Sequence, residues 1–132
     1  MENIYIVGSH SDYFIPTVNF NAQNGVCEIS GESYLEETQK FYLPLIQWLK
    51  DYAIEVRKPL TFNFKITYFN TSSSKCIVDI LNAIKSFENS GCQVVVNWFY
   101  DSENEDAEEE LEEVDDFALE ANISILKIPY NP

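Results

Sequence analysis

Between Leu60 and Tyr100 the spacing of apolar residues changes twice, and this limits the available folds more than any other feature of the chain. Leu60, Phe62, Phe64, Ile66 and Tyr68 alternate with Thr61, Asn63, Lys65 and Thr67, a period of two that sends alternate side chains to opposite faces of a strand. Ile77, Ile80, Leu81, Ile84 and Phe87 then recur at three- and four-residue steps, the spacing of a helix with one buried face. Gly91 follows them, where glycine ends a helix at no steric cost. The run Val94-Val95-Val96-Asn97-Trp98-Phe99-Tyr100 is almost continuously apolar and predicts a strand buried on both faces. Strand, helix and strand in this order form a βαβ unit with parallel strands.

The flanks extend the pattern. Ile4 to Val7 predicts a short strand ended by Gly8, and Thr17 to Phe20 pairs with Val26 to Ser30 around the turn signal Asn24-Gly25. Phe41, Leu45, Trp48, Leu49, Tyr52 and Val56 predict a helix from about Thr38 to Val56. Pro44 lies inside it, removes a backbone donor, and is expected to bend the helix or mark its first turn. Ala107, Leu111, Val114, Phe117 and Ala118 give a third helix an apolar stripe, and Ile123 to Ile128 predicts a last strand. The expected fold class is α/β: a mixed, mostly parallel sheet with helices packed on it. A chain of 132 residues buries roughly two thirds of its unfolded surface, so one domain over residues 1–132 is expected.

Charge narrows the partners. The chain holds 22 acidic and 8 basic side chains, a formal charge of −14, which repels phosphate backbones and anionic membranes. Neither nucleic acid nor membrane is an expected partner. The acidity is local: from Asp101 to Glu120 twelve side chains are acidic and none is basic. No apolar run approaches the roughly 18 to 20 residues that span a bilayer, and the first residues lack a signal peptide's basic and apolar regions. A cytoplasmic location is expected. The cysteines Cys27, Cys76 and Cys92 are odd in number, and the apolar neighbours of Cys76 and Cys92 read as buried, reduced thiols.

Catalytic groups are scarce. His10 is the only histidine, so triads and histidine-based metal sites are hard to assemble. There are four glycines and neither phosphate-cradling loop. The acidic segment places Asp101, Glu103, Glu105 and Glu112 near calcium-loop spacing, but Asp106 stands where the loop needs glycine. A solvated helix face explains the segment better, and a docking surface for a basic partner is a further option. No enzyme, metal or cofactor site is expected.

What remains is the strand-to-helix junction Tyr68-Phe69-Asn70-Thr71-Ser72-Ser73, extended by Ser74. Hydroxyl side chains suit the unpaired N–H groups at a helix N-terminus, so capping accounts for them. The same place favours a phosphate through the helix dipole, and the carboxyl ends of parallel strands are where ligands and partners are met.

Three stretches together resemble the SiaC family of regulatory phosphoproteins of bacteria. They are Gly31-Glu32-Ser33-Tyr34, Ile66-Thr67-Tyr68-Phe69-Asn70-Thr71-Ser72-Ser73, and Trp98-Phe99-Tyr100-Asp101 with the acidic residues after it; with Trp48 they span nearly the whole chain. The resemblance implies a fold like the STAS domains of anti-sigma-factor antagonists, and a partner-switching role without catalysis. It implies a threonine phosphorylated by a cognate Ser/Thr kinase and released by a PP2C-type phosphatase. The unphosphorylated form would bind and activate a diguanylate cyclase, in cyclic-di-GMP signalling. The matching threonine is Thr71, with Ser72 and Ser73 as alternates, and Tyr68, Phe69 and Asn70 join them as expected partner-binding residues. Two other expectations stand beside this one: an anti-sigma factor antagonist, and an acidic metal- or small-molecule-binding protein.

Overall fold

The computed structural model describes residues 1–10 and 13–131. Six strands and three helices follow one another as β1 (Ile4–Ile6), β2 (Thr17–Asn21), β3 (Val26–Ser33), α1 (Thr38–Glu55), β4 (Leu60–Phe69), α2 (Thr71–Asn89), β5 (Val94–Asp101), α3 (Ala107–Ala121) and β6 (Leu126–Tyr130). The sheet order is β1-β2-β3-β4-β5-β6. The first three strands are antiparallel neighbours, and β3 to β6 run parallel. The α/β class and the mostly parallel sheet are as the sequence predicts.

The hairpin between β2 and β3 has a local cause. Asn21 and Val26 pair across it, the Asn21 side chain accepts from the N–H groups of Gln23 and Asn24, and Gly25 takes a φ of +71°. A Cβ there would stand 2.3 Å from the Pro59 carbonyl oxygen, so glycine is required twice over.

Register identifies the buried face. Val18 pairs with Ile29, Phe20 with Cys27, Cys27 with Phe62, Ile29 with Phe64, and Phe62 and Phe64 with Val96 and Trp98. All of these side chains are buried, and the helices contribute Tyr42, Leu45, Trp48, Ile77, Leu81, Val114 and Phe117 to the same core. The opposite face carries a registered row of Asn19, Glu28, Asn63 and Asn97, with Asn97 donating to Asn63 at 2.9 Å and Lys65 paired to Glu28 at 3.0 Å.

Burial of β5 on both faces is therefore corrected: Val96 and Trp98 are buried, while Val95 is exposed. The reason is topological. Parallel strands that follow one another in chain order advance in one direction, so crossovers of one hand all fall on one face. Covering both faces requires a reversal of strand order.

Other departures are smaller. Tyr42, rather than Phe41, joins the buried stripe of α1. Pro44 sits at the seventh position of α1, beyond the first turn, and is exposed, where water can reach the carbonyl that lost its donor. Strand β6 begins at Leu126, after Asn122 closes α3 in the left-handed conformation. It runs through Pro129, which an edge strand tolerates. Cys27 and Cys76 are buried, but Cys92 is half-buried.

Candidate functional site

The parallel strands β3, β4 and β5 end at Ser33, Phe69 and Asp101, so one edge of the sheet gathers the Ser33–Tyr34 step, the hydroxyl junction and the start of the acidic segment. Near this edge the pairing of β3 with β4 slips. Gly31 faces Ile66 but Glu32 faces Tyr68, which leaves Thr67 as an extra residue. Gly31 has a φ of +94°, and the Thr67 hydroxyl donates to its carbonyl at 3.3 Å. A bulge of this kind reverses the alternation beyond it.

The slip changes which aromatic is available. The period of two places Tyr68 with the core set, yet Tyr68 is 50% exposed. Phe69 instead turns inward, its ring 5.9 Å from that of Trp98 and 5.7 Å from that of Phe117. Tyr68 lies 6.2 Å from Tyr34, itself 47% exposed, and Phe14 and His10 continue this line of rings.

Asn70 caps α2. Its side chain accepts from the Ser73 N–H at 3.0 Å, and its own N–H donates to the Ser33 carbonyl at 3.1 Å. The hydroxyls that follow meet different fates. Ser73 is fully buried; its hydroxyl donates to the Ser33 carbonyl at 3.0 Å and lies 2.8 Å from the Ser33 hydroxyl, which lies 2.6 Å from that of Tyr42. Burial pushes the Tyr42 phenol up to about 12, against the opposing pull of the Ser33 hydrogen bond. Ser72 is exposed, but its hydroxyl lies 2.8 Å from that of Thr38 and donates to the Asn70 side chain at 3.2 Å. Ser74 donates to the Asn70 carbonyl at 3.3 Å. Thr71, at the first position of α2, is exposed, and its hydroxyl joins none of these bonds.

The junction thus brings together all six residues singled out in the sequence, with Tyr68 and Thr71 outward and Phe69 and Ser73 inward. Sequence reasoning gave no site role to Ser33, Thr38 and Tyr42, which hold the hydroxyls in place. A signal for two of them existed: Thr38 and Tyr42 stand four residues apart, on one face of α1.

Beside the junction, Trp98 donates from its indole nitrogen to the Glu110 carboxylate at 2.7 Å. Burial holds the Glu110 carboxyl above the usual carboxylate range, the Trp98 hydrogen bond opposes this, and Glu113 and Asp101 add to it. Glu110 lines a cleft of about 240 Å³ with Tyr68, Phe69, Asp106, Glu109 and Glu113. Among the described residues, no group of three or more His, Cys, Asp or Glu side chains is arranged to hold a metal, and no helix is long and apolar enough to cross a membrane.

Comparison with known proteins finds likenesses in both sequence and fold. The SiaC family of regulatory phosphoproteins matches residues 9–128. An uncharacterized protein of Pseudomonas aeruginosa (strain UCBPP-PA14) is 30% identical over 113 residues, 86% of this chain and 87% of that protein. The solved structure of SiaC of Pseudomonas aeruginosa superposes with a TM-score of 0.82 at 24% identity, covering 98% of this chain and 100% of that one. A crystal structure of the diguanylate cyclase SiaD in complex with its activator SiaC, from the same organism, matches with a TM-score of 0.85 at 25% identity, covering 96% and 99%.

Proposed function

The chain belongs to the SiaC family of regulatory phosphoproteins, and from that premise we propose that its unphosphorylated form binds and activates a diguanylate cyclase. It acts without catalysis of its own, and the phosphate that switches it is carried by Thr71. A cognate Ser/Thr kinase adds the phosphate, and a PP2C-type phosphatase removes it. Support for the effector comes from the likeness to the activator in the SiaD complex.

The observation that carries the choice of residue is the division of labour among the hydroxyls. Ser73 is buried and bonded, Ser72 is tied to Thr38, and Thr71 stands exposed and unengaged. A kinase needs a hydroxyl it can reach, and Thr71 offers one without opening the fold. A phosphate there lies at the N-terminus of α2, where backbone N–H groups and the helix dipole favour an anion. It adds roughly 1.5 to 2 negative charges near neutral pH. That is a modest addition to a charge of −14 at long range, but it acts strongly at contact. A partner covering Tyr68 and Asn70 would have to strip water from this dianion, which is costly.

The test is phosphorylation of the purified protein by its kinase, with mass-spectrometric mapping and a cyclase binding assay on both forms. Label confined to Thr71, lost in Thr71→Ala, and weaker cyclase binding by the labelled form are the expected results. Full labelling of Thr71→Ala would overturn the assignment.

A further inference from the structure

Exposed Tyr34 and Tyr68 form an aromatic ledge, and Tyr68 is also a wall of the cleft of about 240 Å³ that opens toward α3. Every charged side chain lining that cleft is a carboxylate: Asp106, Glu109, Glu110 and Glu113. None of the four joins an ion pair among the described residues. Lysines pair with carboxylates elsewhere, at Glu28, Glu37, Glu88 and Asp115, and what sets these four apart is that they line one cleft walled by an exposed aromatic ring.

The volume falls below the roughly 300 to 1,000 Å³ of ordinary small-molecule pockets and suits one long side chain. We propose that the ledge and cleft are one docking surface for a basic and apolar segment of the cyclase. An arginine or lysine side chain of that segment enters the cleft, and its apolar neighbours lie on Tyr34 and Tyr68. The inference rests on the cyclase reading and deepens it.

Charge complementarity selects the occupant. An acidic segment would bring like charges together. A neutral one would strip water from four carboxylates and leave them unpaired, which is costly. A cation answers both, because it pairs with carboxylates at the cleft mouth and stacks against the electron-rich face of an aromatic wall. Carboxylates in the first turn of α3 also offset the positive end of its dipole, which would otherwise oppose a cation. The surrounding acidity would steer such a segment toward the site.

The experiment measures affinity for the cognate cyclase by calorimetry at low and high salt. The wild type is compared with Glu109→Gln/Glu113→Gln and with Glu108→Gln/Glu112→Gln, which removes equal charge from exposed positions of α3 outside the cleft. The cleft pair is expected to weaken binding by about tenfold or more at low salt, with a flatter salt dependence, while the outer pair stays within about twofold. Equal weakening by both pairs, or unchanged binding by the cleft pair, would overturn the docking inference and leave the cyclase reading standing. A wild-type protein that binds no cyclase would overturn both.

Discussion

From Thr71 to Ser74 four hydroxyls follow one another, and the fold gives each a different occupation. The run itself, and the fitness of Asn70 as a cap, are legible in the sequence because capping is a matter of three residues. The partners are not: Ser33, Thr38 and Tyr42 lie 29 to 41 positions before that run along the chain, and nothing local says they arrive at this edge. Two of the contacts, Ser33 with Ser73 and Thr38 with Ser72, join β3 and α1 to α2, so the cap is braced from both sides. Asn70→Ala removes the acceptor for the Ser73 N–H and should cost about 1 kcal/mol. Thermal melts should show that as a drop of a few degrees, with Asn70→Asp near wild type because a carboxylate also caps. An unchanged midpoint for Asn70→Ala would mean that water replaces the cap.

At the scale of elements, period and composition located every strand and helix, with three-residue boundary errors at the end of β3 and the start of β6. What they missed were properties of pairs of elements. The alternation in β4 reads as unbroken through Tyr68, because the bulge at Thr67 is set by its neighbour β3, where Gly31 supplies the positive φ. The bulge uncouples the two ends of β4: the first seven residues answer to the core, and the last two to the site. The acidic helix shows a second such property, since its stripe predicted burial but not the Glu110 bond to Trp98. Because burial raises the Glu110 pKa, its charged form is disfavoured in the folded state. The stability conferred by the neutral form is complete below the ordinary carboxylate range and is lost as pH rises through the folded value. Glu110→Gln keeps an oxygen acceptor for the indole and removes the charge. Its melting midpoint should exceed wild type at pH 7, and the two should converge as pH falls below about 4. A variant less stable than wild type at pH 7 would show that the charged hydrogen bond outweighs desolvation.

For the whole molecule, one decision in topology has several effects. Among the described residues strand order never reverses, so the helices share one face, the sheet's other face stays open, and no switch-point crevice forms of the kind that holds nucleotides in doubly wound folds. The acidic residues gather on and before α3, where Lys127 supplies a cation to Asp115 alone. Mutual repulsion of these carboxylates should make the fold weakest in dilute buffer. Raising sodium chloride from about 10 mM to about 300 mM shortens the screening length from roughly 30 Å to under 8 Å. The melting midpoint should then rise by a few degrees, and a fall would contradict this account of the charge. The charge is also off-centre, since α3 packs at the end of the sheet formed by β5 and β6 while the remainder of the chain is nearly neutral. A body whose electrical centre lies away from its centre of mass has a permanent moment and turns in an external field like a compass needle. Near a cationic surface this protein would therefore be rotated before it is touched, presenting its α3 end first.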